Sequence, residues 1–556
     1  MSGPGQNGHS SVGPRRLGAI DVGTNSLRLI VAEASPDSTY RVLDDEKAIT
    51  RLGRGLARTN RLHPDTMEES VLAIARMKGI AEGYGVTSLR VIGTAAVREA
   101  ENGPQFCELV KQRTGLSLVP ITAEEEARLA FLSASHAFDL RESTCAVVDI
   151  GGGSTEIVLA SGGIVEQVYT SPLGAVRLTE MFPGVESPGH EPAYNALRKH
   201  VRKALRDLVG PPPISPQFII GTGGTFTTVA SVSMQRGSTE RDSGMLPFAM
   251  RGHELQRSEI RHTLDWLRQI PIKARLRVPG LSADRAEIII AGLAVVEGVM
   301  KHLGVNSIRV HDRGIRDGLL LTMLGEIYPS AERQRMEPVD RLRSARHFAQ
   351  NCRYEEAHSN HVATLALQVF DQLAAQRPEV LRDAGTPWAR EILYIAALLH
   401  DVGYFINYSK HHKHSYHLIV HSDLPGFTHR ELEIIANIAR YHRRAEPKLK
   451  HATFAKLAEA DRALVSRLAG ILRTADGLDR THTQSVRSIR LRIAGDDACF
   501  LLDAQEEPSV DMWGSDRKGS LFEKIFRLRP RFEWAGALSP TLSSTERTSR
   551  THHAMN

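Results

Sequence analysis

The hydrophobic pattern separates two main regions of the chain. From Leu17 to about Tyr328, short aliphatic and β-branched runs alternate with segments of helical periodicity. The runs predict strands at Leu17–Ile20, Leu27–Glu33, Ser88–Gly93, Ser117–Ile121, Cys145–Asp149, Glu156–Ala160, Gln217–Ile220 and Ser307–His311. The periodic segments predict helices at Pro64–Tyr84, Ala123–Ala137, Glu191–Leu208, Gly252–Gln269, Leu281–Leu303 and Ile315–Leu324. This alternation indicates α/β architecture.

Strand patterns disappear after about residue 340, and helical spacing continues to Ser485. Alternation then returns and predicts a small α+β C-terminal module that ends near Trp534. Both ends of the chain are poor in apolar residues, which predicts disorder. The expected parts are a disordered arm at 1–15, two α/β domains at 16–138 and 139–330, an all-α domain at 338–485, the module at 486–535 and a disordered tail at 536–556.

Composition indicates the class of protein and its cellular environment. Of its 556 residues, 41% are hydrophobic and 24% are charged, which is ordinary for a soluble globular protein. The longest apolar runs are far shorter than the roughly 20 residues that span a bilayer, so no membrane partner is expected. Four widely spaced cysteines form no CxxC pair and favour reduced thiols in the cytoplasm.

Charge and histidine content are uneven along the chain. Lys and Arg number 70 against 64 for Asp and Glu, and the resulting net charge of +6 permits an anionic partner. Twelve of the 24 histidines lie between His358 and His482, within the predicted helical domain. The function has to account for this clustering.

Three glycine-rich loops follow predicted strands. Two begin with Asp-x-Gly, at Asp21 and Asp149, and the third begins at Gly221. Glycines let backbone N–H groups approach an anion closely, and neutral side chains add donors. One such loop alone would be a plain turn, but the three in this order predict a phosphate site. Its expected residues are Asp21, Gly23, Thr24, Asn25, Ser26, Arg28, Gly151, Gly152, Gly153, Ser154, Thr155, Gly221, Thr222, Gly223, Gly224 and Thr225.

Two of these residues are anionic. The carboxylates of Asp21 and Asp149 would repel a phosphate, so they are expected to hold Mg²⁺ or to orient water between the two phosphate cradles.

These residues resemble the actin-like ATPase superfamily and, within it, one family. The strings D-V-G-T-N-S-x-R, G-T-A-A-V-R-E, E-E-E-A-R-L, D-I-G-G-G-S-T-E-I and G-T-G-G-T are similar to the exopolyphosphatase / guanosine pentaphosphate phosphohydrolase (Ppx/GppA) family in its long form. The resemblance covers the chain from about Leu17 to the helical domain and, less sharply, to about Trp534. It implies a duplicated pair of ribonuclease-H-like, actin-like domains with the substrate between them, and a homodimer.

A predicted helix opens with three consecutive glutamates. Thr122 and Glu125 satisfy a capping-box pattern, and Glu124 lies four residues before Arg128, so both glutamates have structural roles. Glu126 has no local partner and borders an apolar stripe, which allows it to point into a cleft. The pattern leaves its role open. The family resemblance implies that Glu126 is the general base for water attack on a terminal phosphorus.

Phosphoryl transfer also requires positioning and stabilisation of charge. Mg²⁺, or Mn²⁺, near Asp149 and Glu156 is expected to contribute, together with Arg98, whose guanidinium can grip phosphate oxygens bidentately. Arg98 has an alternative role as the ion-pair partner of Glu99 or Glu101. The residues alone do not decide between the two.

Four ligand-type residues occur in the helical region: His358, His400, Asp401 and Asp476. Their order resembles the HD superfamily of metal-dependent phosphohydrolases and implies a second divalent metal in an HD-like domain. Imidazole and carboxylate ligands suit Mn²⁺, Fe²⁺ or Zn²⁺ better than Mg²⁺. His414 and His442 follow where some HD enzymes have additional ligands. The alternative is a metal-free relict whose histidines form internal hydrogen bonds or a polyanion surface.

Two basic runs lie near these residues, from Lys410 to His421 and from Arg440 to Lys450. Each is either a solvated face or a track of cations for a phosphate polymer. Binding of single-stranded nucleic acid usually adds stacking aromatics, and the aromatic content is only 6%. Inorganic polyphosphate is therefore favoured over RNA, and no specific nucleic-acid partner is expected.

The residues and the resemblance together predict an exopolyphosphatase, a hydrolase of phosphoric anhydrides, with Glu126, Asp149 and Arg98 as the catalytic set. Three alternatives stay open. In the first, the same site hydrolyses guanosine pentaphosphate. In the second, the metal site of the helical domain is the hydrolytic active site. In the third, the chain is a polyphosphate or nucleotide sensor in which Glu126 is structural.

Overall fold

The computed structural model of the chain describes residues 15–35, 39–237, 250–328, 341–422, 424 and 426–536. The predicted disordered arm and tail lie outside the described residues, apart from Arg15 and Gly536. In the part of the chain that is described, no helix is both long and apolar enough to cross a membrane.

The chain forms two compact units. The first comprises Met1–Arg341 and Pro425–His429, and the second comprises Leu342–Leu424 and Arg430–Asn556. The boundary near residue 341 agrees with the change of hydrophobic pattern in the sequence. The finer division of each unit into domains stays a prediction.

One sheet of the first unit consists of β1 (Arg15–Val22), β2 (Leu27–Ala34), β3 (Tyr40–Ala48), β4 (Ser88–Gly93) and β5 (Leu118–Pro120). The strands lie in the order β3-β2-β1-β4-β5. Strands β1, β4 and β5 are parallel, whereas β2 pairs antiparallel with both β1 and β3. Strands β1 and β2 are largely buried on both faces, as expected for a sheet covered by helices.

The other sheet consists of β6 (Thr144–Ile150), β7 (Thr155–Ser161), β8 (Ile164–Ser171), β9 (Phe218–Thr222), β10 (Glu254–Gln256) and β11 (Ser307–Val310). Its order is β10-β11-β9-β6-β7-β8. The run β8-β7-β6-β9-β11 repeats the order and directions of the five strands of the first sheet. The duplicated α/β architecture expected from the two Asp-x-Gly motifs is therefore confirmed.

The hydrophobic pattern does not predict β3, β8 or β10. All three are edge strands, and most residues of β3 and β8 are partly or fully exposed. An edge strand buries little side-chain area, so it lacks the apolar run that marks a central strand. Strand β10 has only three residues and occupies the start of the predicted helix Gly252–Gln269.

The described helices before residue 329 are α1 (Leu56–Thr59), α2 (Pro64–Gly83), α3 (Ala95–Glu99), α4 (Gly103–Thr114), α5 (Ala123–Ala137), α6 (Ala175–Met181), α7 (Glu191–Leu208), α8 (Gly224–Gly237), α9 (Arg257–Gln269), α10 (Ile272–Arg275), α11 (Ile289–Leu303) and α12 (Ile315–Ile327). Helix α11 begins eight residues later than predicted. Helices α5 and α12 pack together, and a side chain at Gly318 would overlap the Leu129 carbonyl. Glycine at this position therefore allows the close approach that places the start of α5.

The described helices beyond residue 340 are α13 (Arg341–Asn351), α14 (Glu356–Gln376), α15 (Pro378–Leu381), α16 (Pro387–Leu399), α17 (His411–Val420), α18 (His429–Arg440), α19 (Ala452–Ala455), α20 (Glu459–Gly477), α21 (Ser509–Lys518) and α22 (Ser520–Phe526). A small sheet follows the order β12 (Val486–Ala494), β13 (Asp497–Ala504) and β14 (Arg529–Trp534). The predicted change from helices to strands after Ser485 is confirmed.

Long helix α14 holds the small sheet of the second unit by polar contacts. Gln372 donates from Nε2 to the Ile489 carbonyl and accepts from the Leu491 N–H through Oε1, at 2.8 and 2.7 Å. Strand β12 is an edge strand, so these side chains satisfy backbone groups that no neighbouring strand reaches.

Candidate active site

The two Asp-x-Gly motifs occupy equivalent positions in the two sheets of the first unit. Asp21 lies near the end of β1 and is paired in register with Arg28 of β2. Asp149 lies near the end of β6 and is paired with Glu156 of β7. Each half therefore presents a carboxylate at the carboxyl end of a central strand, and Glu156 is the counterpart of Arg28.

The turns that follow these carboxylates touch each other. A Cβ atom at Gly152 would lie 2.9 Å from Cβ of Thr24, and one at Gly153 would lie 2.7 Å from Cβ of Ala95. These separations are too short for a side chain, so glycine is needed where the two halves meet. The contact forms the floor of a cleft between the repeated halves.

The third glycine loop completes this cleft. Gly223 has a φ of 91°, and a Cβ atom there would lie 2.6 Å from Oδ1 of Asp149. Both the left-handed backbone and the close approach to the carboxylate exclude a larger residue. Oγ1 of Thr222 donates to the Arg313 carbonyl at 2.5 Å, which ties this loop to the turn before α12.

Most of the predicted site residues line this one cleft: Asp21, Gly23, Thr24, Asn25, Ser26, Arg28, Glu126, Asp149, Gly151, Gly152, Gly153, Ser154, Thr222, Gly223 and Gly224. The described lining does not include Thr155, Gly221 or Thr225. Oγ1 of Thr155 donates to the Leu173 carbonyl at 2.8 Å, and Thr225 is buried against Gly292. Contact of these three residues with phosphate stays a prediction.

Glu126 lies in the first turn of α5, buried at the edge of the cleft. Thr122 caps this helix by accepting a hydrogen bond from the Glu125 N–H at 3.1 Å, as the capping pattern predicted. Nη1 of Arg98 donates to Oε2 of Glu126 at 3.0 Å and to the Ile121 carbonyl at 2.9 Å. Arg98 therefore fixes the orientation of the Glu126 carboxyl.

Arg98 pairs with neither Glu99 nor Glu101, the two ion-pair partners expected from the sequence. Among the described residues, Glu99 pairs with Arg177 and Glu101 pairs with Arg61, which leaves Arg98 to Glu126. The described lining of the cleft does not include Arg98. Bidentate contact of Arg98 with phosphate stays a prediction.

Four carboxyl groups at or beside the cleft resist ionisation, whereas neighbouring cations, Arg251 first, lower the pKa of Asp312 against the effect of its burial. Burial raises the pKa of Glu126 to about 8; the Arg98 hydrogen bond opposes this shift, and the charge of Asp149 adds to it. Burial and the charge of Asp21 raise the pKa of Asp149 to about 7. Burial also raises the pKa of Asp21 to about 6 and the pKa of Glu156 well above its usual value.

Unpaired oxygen atoms indicate where a cation would fit. Oδ1 of Asp21 and both carboxylate oxygens of Glu156 are buried without a hydrogen-bond partner. Buried unpaired carboxylate oxygens are costly unless something positive contacts them. Asp149 lines the cleft beside them, so this set offers the all-oxygen ligands that Mg²⁺ prefers.

Sequence reasoning missed several charged residues of the cleft: Arg285, Asp312, Arg313 and Arg316. Nη1 of Arg316 donates to the Leu29 carbonyl at 2.8 Å and pairs with Asp45. A signal for part of this set was present, because Asp312 and Gly314 form a further Asp-x-Gly motif, which one residue separates from the end of β11. Arg285 lies in no such motif, and only the tertiary fold brings it to the cleft.

The second unit brings together the four ligand-type residues predicted there: His358, His400, Asp401 and Asp476, all buried. Nε2 of His358 lies 3.8 Å from Oδ2 of Asp401 and 3.7 Å from Oδ1 of Asp476. Nε2 of His400 lies 3.4 and 3.9 Å from the same two oxygens. His442 also faces Asp401, whereas His411, rather than His414, is the second additional histidine there.

Comparison with known proteins agrees with both parts of the chain. The profile of the Ppx/GppA phosphatase family matches residues 30–327, which is more than half of the sequence. The chain belongs to the Ppx/GppA phosphatase family. The profile of Ppx/GppA phosphatase domain III matches residues 341–508, so the long form expected from the sequence is confirmed. The family consists of hydrolases of phosphoanhydrides.

Solved structures with similar folds cover the first half of the Ppx/GppA chain. An exopolyphosphatase from Cytophaga hutchinsonii is 23% identical, covers 56% of this chain and 98% of its own, and has a TM-score of 0.51. The Aquifex aeolicus member of the Ppx/GppA family is 29% identical, covers 57% of this chain and 99% of its own, and has a TM-score of 0.47. The first of these supports the actin-like fold that the sequence predicted.

Proposed function

We propose that this chain is an exopolyphosphatase that releases orthophosphate from the end of inorganic polyphosphate in the cleft of the first unit. The observation that carries the proposal is the chemistry of the cleft wall. Glycine turns, carboxylates and arginines form it, and none of the described lining residues is aromatic. A phosphate chain needs donors and cations, whereas a nucleobase also needs an apolar or stacking surface.

The cleft would hold the terminal phosphate by backbone groups and fixed cations. The turns after Asp21 and Asp149 offer N–H groups from both halves, and the guanidinium groups of Arg28, Arg285 and Arg316 line the same space. Fixed donors and cations stabilise the charge that spreads over the phosphoryl oxygens during transfer.

Glu126 would activate the attacking water. Arg98 holds Oε2 of Glu126, which leaves Oε1 to take the proton from water. The water oxygen then bonds to the terminal phosphorus while the bridging P–O bond breaks, and the shortened chain leaves. Ionised Glu126 is the active form, and its raised pKa makes it a stronger base once it is ionised.

Mg²⁺ fits the oxygen atoms beside the cleft. Asp149 and Glu156 would hold it, with Asp21 contributing directly or through water. When bound, the ion neutralises phosphate charge and favours the ionised form of the neighbouring carboxyl groups. Mn²⁺ accepts the same ligands.

The second unit would help to retain the polymer. Its basic runs expose the cations Lys410, Lys413, Arg444, Lys448 and Lys450, which suit a polyanion without base recognition. Homodimer formation and a cytoplasmic location stay predictions.

The test compares Glu126→Gln with Glu124→Gln, a matched change in the same helical turn at an exposed position. With long-chain polyphosphate and Mg²⁺, we expect Glu126→Gln to lower kcat by roughly 10²- to 10⁴-fold, because the proton acceptor is lost. Glu124→Gln should remain close to wild type. Phosphate release is the measurement, and full activity of Glu126→Gln would overturn the assignment of the base.

Substrate choice is tested by supplying guanosine pentaphosphate and polyphosphate at equal concentration. Faster release from polyphosphate supports the proposal, and preference for guanosine pentaphosphate contradicts it. Binding of polyphosphate without turnover in either Mg²⁺ or Mn²⁺ would instead indicate a sensor.

A further inference from the structure

The buried cluster of the second unit extends beyond the four residues that the sequence predicted. Nε2 of His411 lies 3.2 Å from Oδ1 of Asp401, and Nε2 of His442 lies 3.5 Å from the same oxygen. The two Nε2 atoms are 3.3 Å apart. Both imidazoles are buried, so they belong to the interior of the unit and not to its basic surface.

Asp401 divides the cluster into two halves. Its Oδ2 atom faces the Nε2 atoms of His358 and His400, and its Oδ1 atom faces those of His411 and His442. Asp401 and the first pair form one group with metal-ligating atoms within 4.8 Å, and Asp401 and the second pair form another. A carboxylate with a separate ligand group at each oxygen has the geometry of a bridge between two cations.

The hydrogen bonds of the four imidazoles fix where their lone pairs point. Nδ1 contacts the Ala397 carbonyl in His400 and the Ala439 carbonyl in His442, at 2.6 and 2.7 Å. These carbonyls accept a hydrogen bond, so Nδ1 carries the proton. In a neutral imidazole Nε2 is then an acceptor, and in both rings it faces the carboxylate of Asp401.

The remaining two histidines have the same arrangement. Nδ1 of His358 contacts Oδ2 of Asp479 at 2.9 Å, and Nδ1 of His411 contacts the Tyr408 carbonyl at 3.1 Å. Support of one ring nitrogen by an acceptor is typical of metal-bound histidine. The Nε2 atoms of all four histidines are therefore hydrogen-bond acceptors, and they face the carboxylates of Asp401 and Asp476, which are also acceptors.

Three atoms at the centre of this cluster have no hydrogen-bond partner among the described residues. Nε2 of His358, Nε2 of His400 and Oδ1 of Asp401 are buried without a hydrogen-bond partner. Ligand atoms that share one ion at about 2.1 Å stand about 3.0 to 3.4 Å apart, and the separations from Asp401 run from 3.2 to 3.8 Å. Three of these four separations are longer than an ordinary N–H···O hydrogen bond, and two fall within the range of atoms that share an ion.

We propose that the second unit binds two divalent transition-metal ions bridged by Asp401. His358, His400 and Asp476 complete the ligands of one ion, and His411 and His442 complete those of the other. The second ion has fewer protein ligands, so it keeps open positions for water or an incoming oxygen ligand. The imidazole content selects Mn²⁺, Fe²⁺, Co²⁺ or Zn²⁺ over Mg²⁺.

Two cationic side chains lie beside the centre. Lys518 pairs with Oδ2 of Asp476, and Oδ1 remains directed to His358 and His400. Nη1 of Arg443 lies 3.2 and 3.4 Å from the two ring nitrogens of His411. An ion bound at Nε2 of His411 would displace this contact. Cations beside open metal positions suit a phosphate group as the further ligand.

The test is the metal content of the full-length protein. The protein is stripped with chelator, loaded with Co²⁺ and dialysed against excess Mg²⁺, so that the oxygen ligands of the cleft are filled by Mg²⁺. We expect about two Co²⁺ ions per chain, His411→Asn to lose one, and Asp401→Asn to lose both. His414→Asn is the matched control, because His414 lies on the same helix outside the cluster, and it should keep two.

Each outcome decides for or against two bridged ions. One Co²⁺ or fewer per wild-type chain, or equal content in His411→Asn and wild type, would overturn the proposal. Circular dichroism checks the fold, and His411→Asn provides the decision if Asp401→Asn does not fold. The cleft variant Glu126→Gln should keep both ions, so loss of polyphosphate hydrolysis and loss of these ions are separable.

The visible spectrum of the bound Co²⁺ tests the phosphate ligand at the same centre. Adding inorganic phosphate should shift the absorption bands of the wild-type protein, because an oxygen ligand enters an open position. His411→Asn, which lacks the second ion, should show a smaller shift. An unchanged wild-type spectrum at saturating phosphate would exclude phosphate as the ligand of this centre.

Discussion

Three buried carboxyl groups, Glu126, Asp149 and Glu156, and the half-buried Asp21 lie at or beside the cleft of the first unit, whereas four buried imidazoles surround Asp401 in the second. Oxygen atoms of Asp21 and Glu156 have no hydrogen-bond partner. Burial raises the pKa of all four carboxyl groups. In the second unit, the carboxylate oxygens of Asp401 face imidazole nitrogens. Oxygen-only ligands favour Mg²⁺, and imidazole-rich ligands favour transition metals.

The two regions also differ in what positions their chemistry. Turns at strand ends build the cleft, and glycines such as Gly152 and Gly223 allow backbone to approach backbone or carboxylate. Helix side chains build the cluster, and each ring is oriented by an acceptor at Nδ1, as Ala397 and Ala439 do for His400 and His442. The backbone N–H groups of the cleft suit the many oxygen atoms of a phosphate substrate. The oriented imidazoles of the cluster suit a single metal ion that several side chains contact at once.

The largest effect that would sharpen this contrast concerns Asp479. It accepts the Nδ1 hydrogen of His358 at 2.9 Å, so we expect Asp479→Asn to weaken metal binding by roughly 10- to 100-fold. Competition of Co²⁺ with a chelator measures the affinity. Asp371→Asn, at an exposed position of the same helix as His358, is the control. Equal affinity in both variants would mean that the His358 ring is held by packing alone.

Much of the cleft is visible in the sequence because its signals are local. The strand, Asp and glycine turn occur together at Asp21 and Asp149, and the three glutamates that include Glu126 follow a helix cap. The same rule, applied once more after β11, would have found Asp312. Arg285 and Arg316 reach the cleft through the packing of distant segments, which no local pattern encodes.

The cluster shows a different limit. A histidine count identifies the region but does not tell His411 from His414, since the choice depends on where α17 begins and which face it buries. That start follows a short 3₁₀ turn, Val402–Phe405, in which a side chain at Gly403 would overlap the backbone of α17. Close packing of this kind is a tertiary property, and the hydrophobic pattern does not report it.

A smaller effect would test the electrostatics of the cleft. The Arg98 hydrogen bond lowers the pKa of Glu126, which burial has raised to about 8. The ionised base is required, so kcat/KM at a fixed Mg²⁺ concentration should rise with pH and level off above that pKa. In Arg98→Met the pKa of Glu126 should be higher, so the rise should move to higher pH and activity at pH 7 should fall by up to about tenfold. Arg113→Met, an exposed change in the same half, should leave the profile in place, and an unmoved profile in Arg98→Met would contradict this role.

The smallest expected effect concerns stability. Burial raises the folded-state pKa of Asp21 to about 6 and that of Asp149 to about 7, above their usual value near 4. The folded chain then holds protons that the unfolded chain releases, so the stabilisation is complete below about pH 4 and is lost as pH rises through 6 to 7. Without divalent ions, Tm should fall over this range by a few degrees. Mg²⁺ should raise Tm more at pH 8 than at pH 5, because only ionised carboxyls bind it.

Asp149→Asn separates the pH-dependent loss of stability at the cleft from the titration of other groups. The difference between its Tm profile with pH and that of wild type reports the contribution of the Asp149 carboxyl alone. The variant should show a flatter decline with pH and a smaller gain with Mg²⁺. Its Co²⁺ content in the second unit should stay unchanged, because the imidazole ligands are all elsewhere in the chain. If Mg²⁺ raised Tm equally at pH 5 and pH 8, the cleft carboxyls would already be ionised at pH 5. The unpaired oxygens of Asp21 and Glu156 would then need a partner other than a proton. Burial would not have raised the pKa values of the cleft carboxyls, and the contrast with the ionised Asp401 of the cluster would be lost.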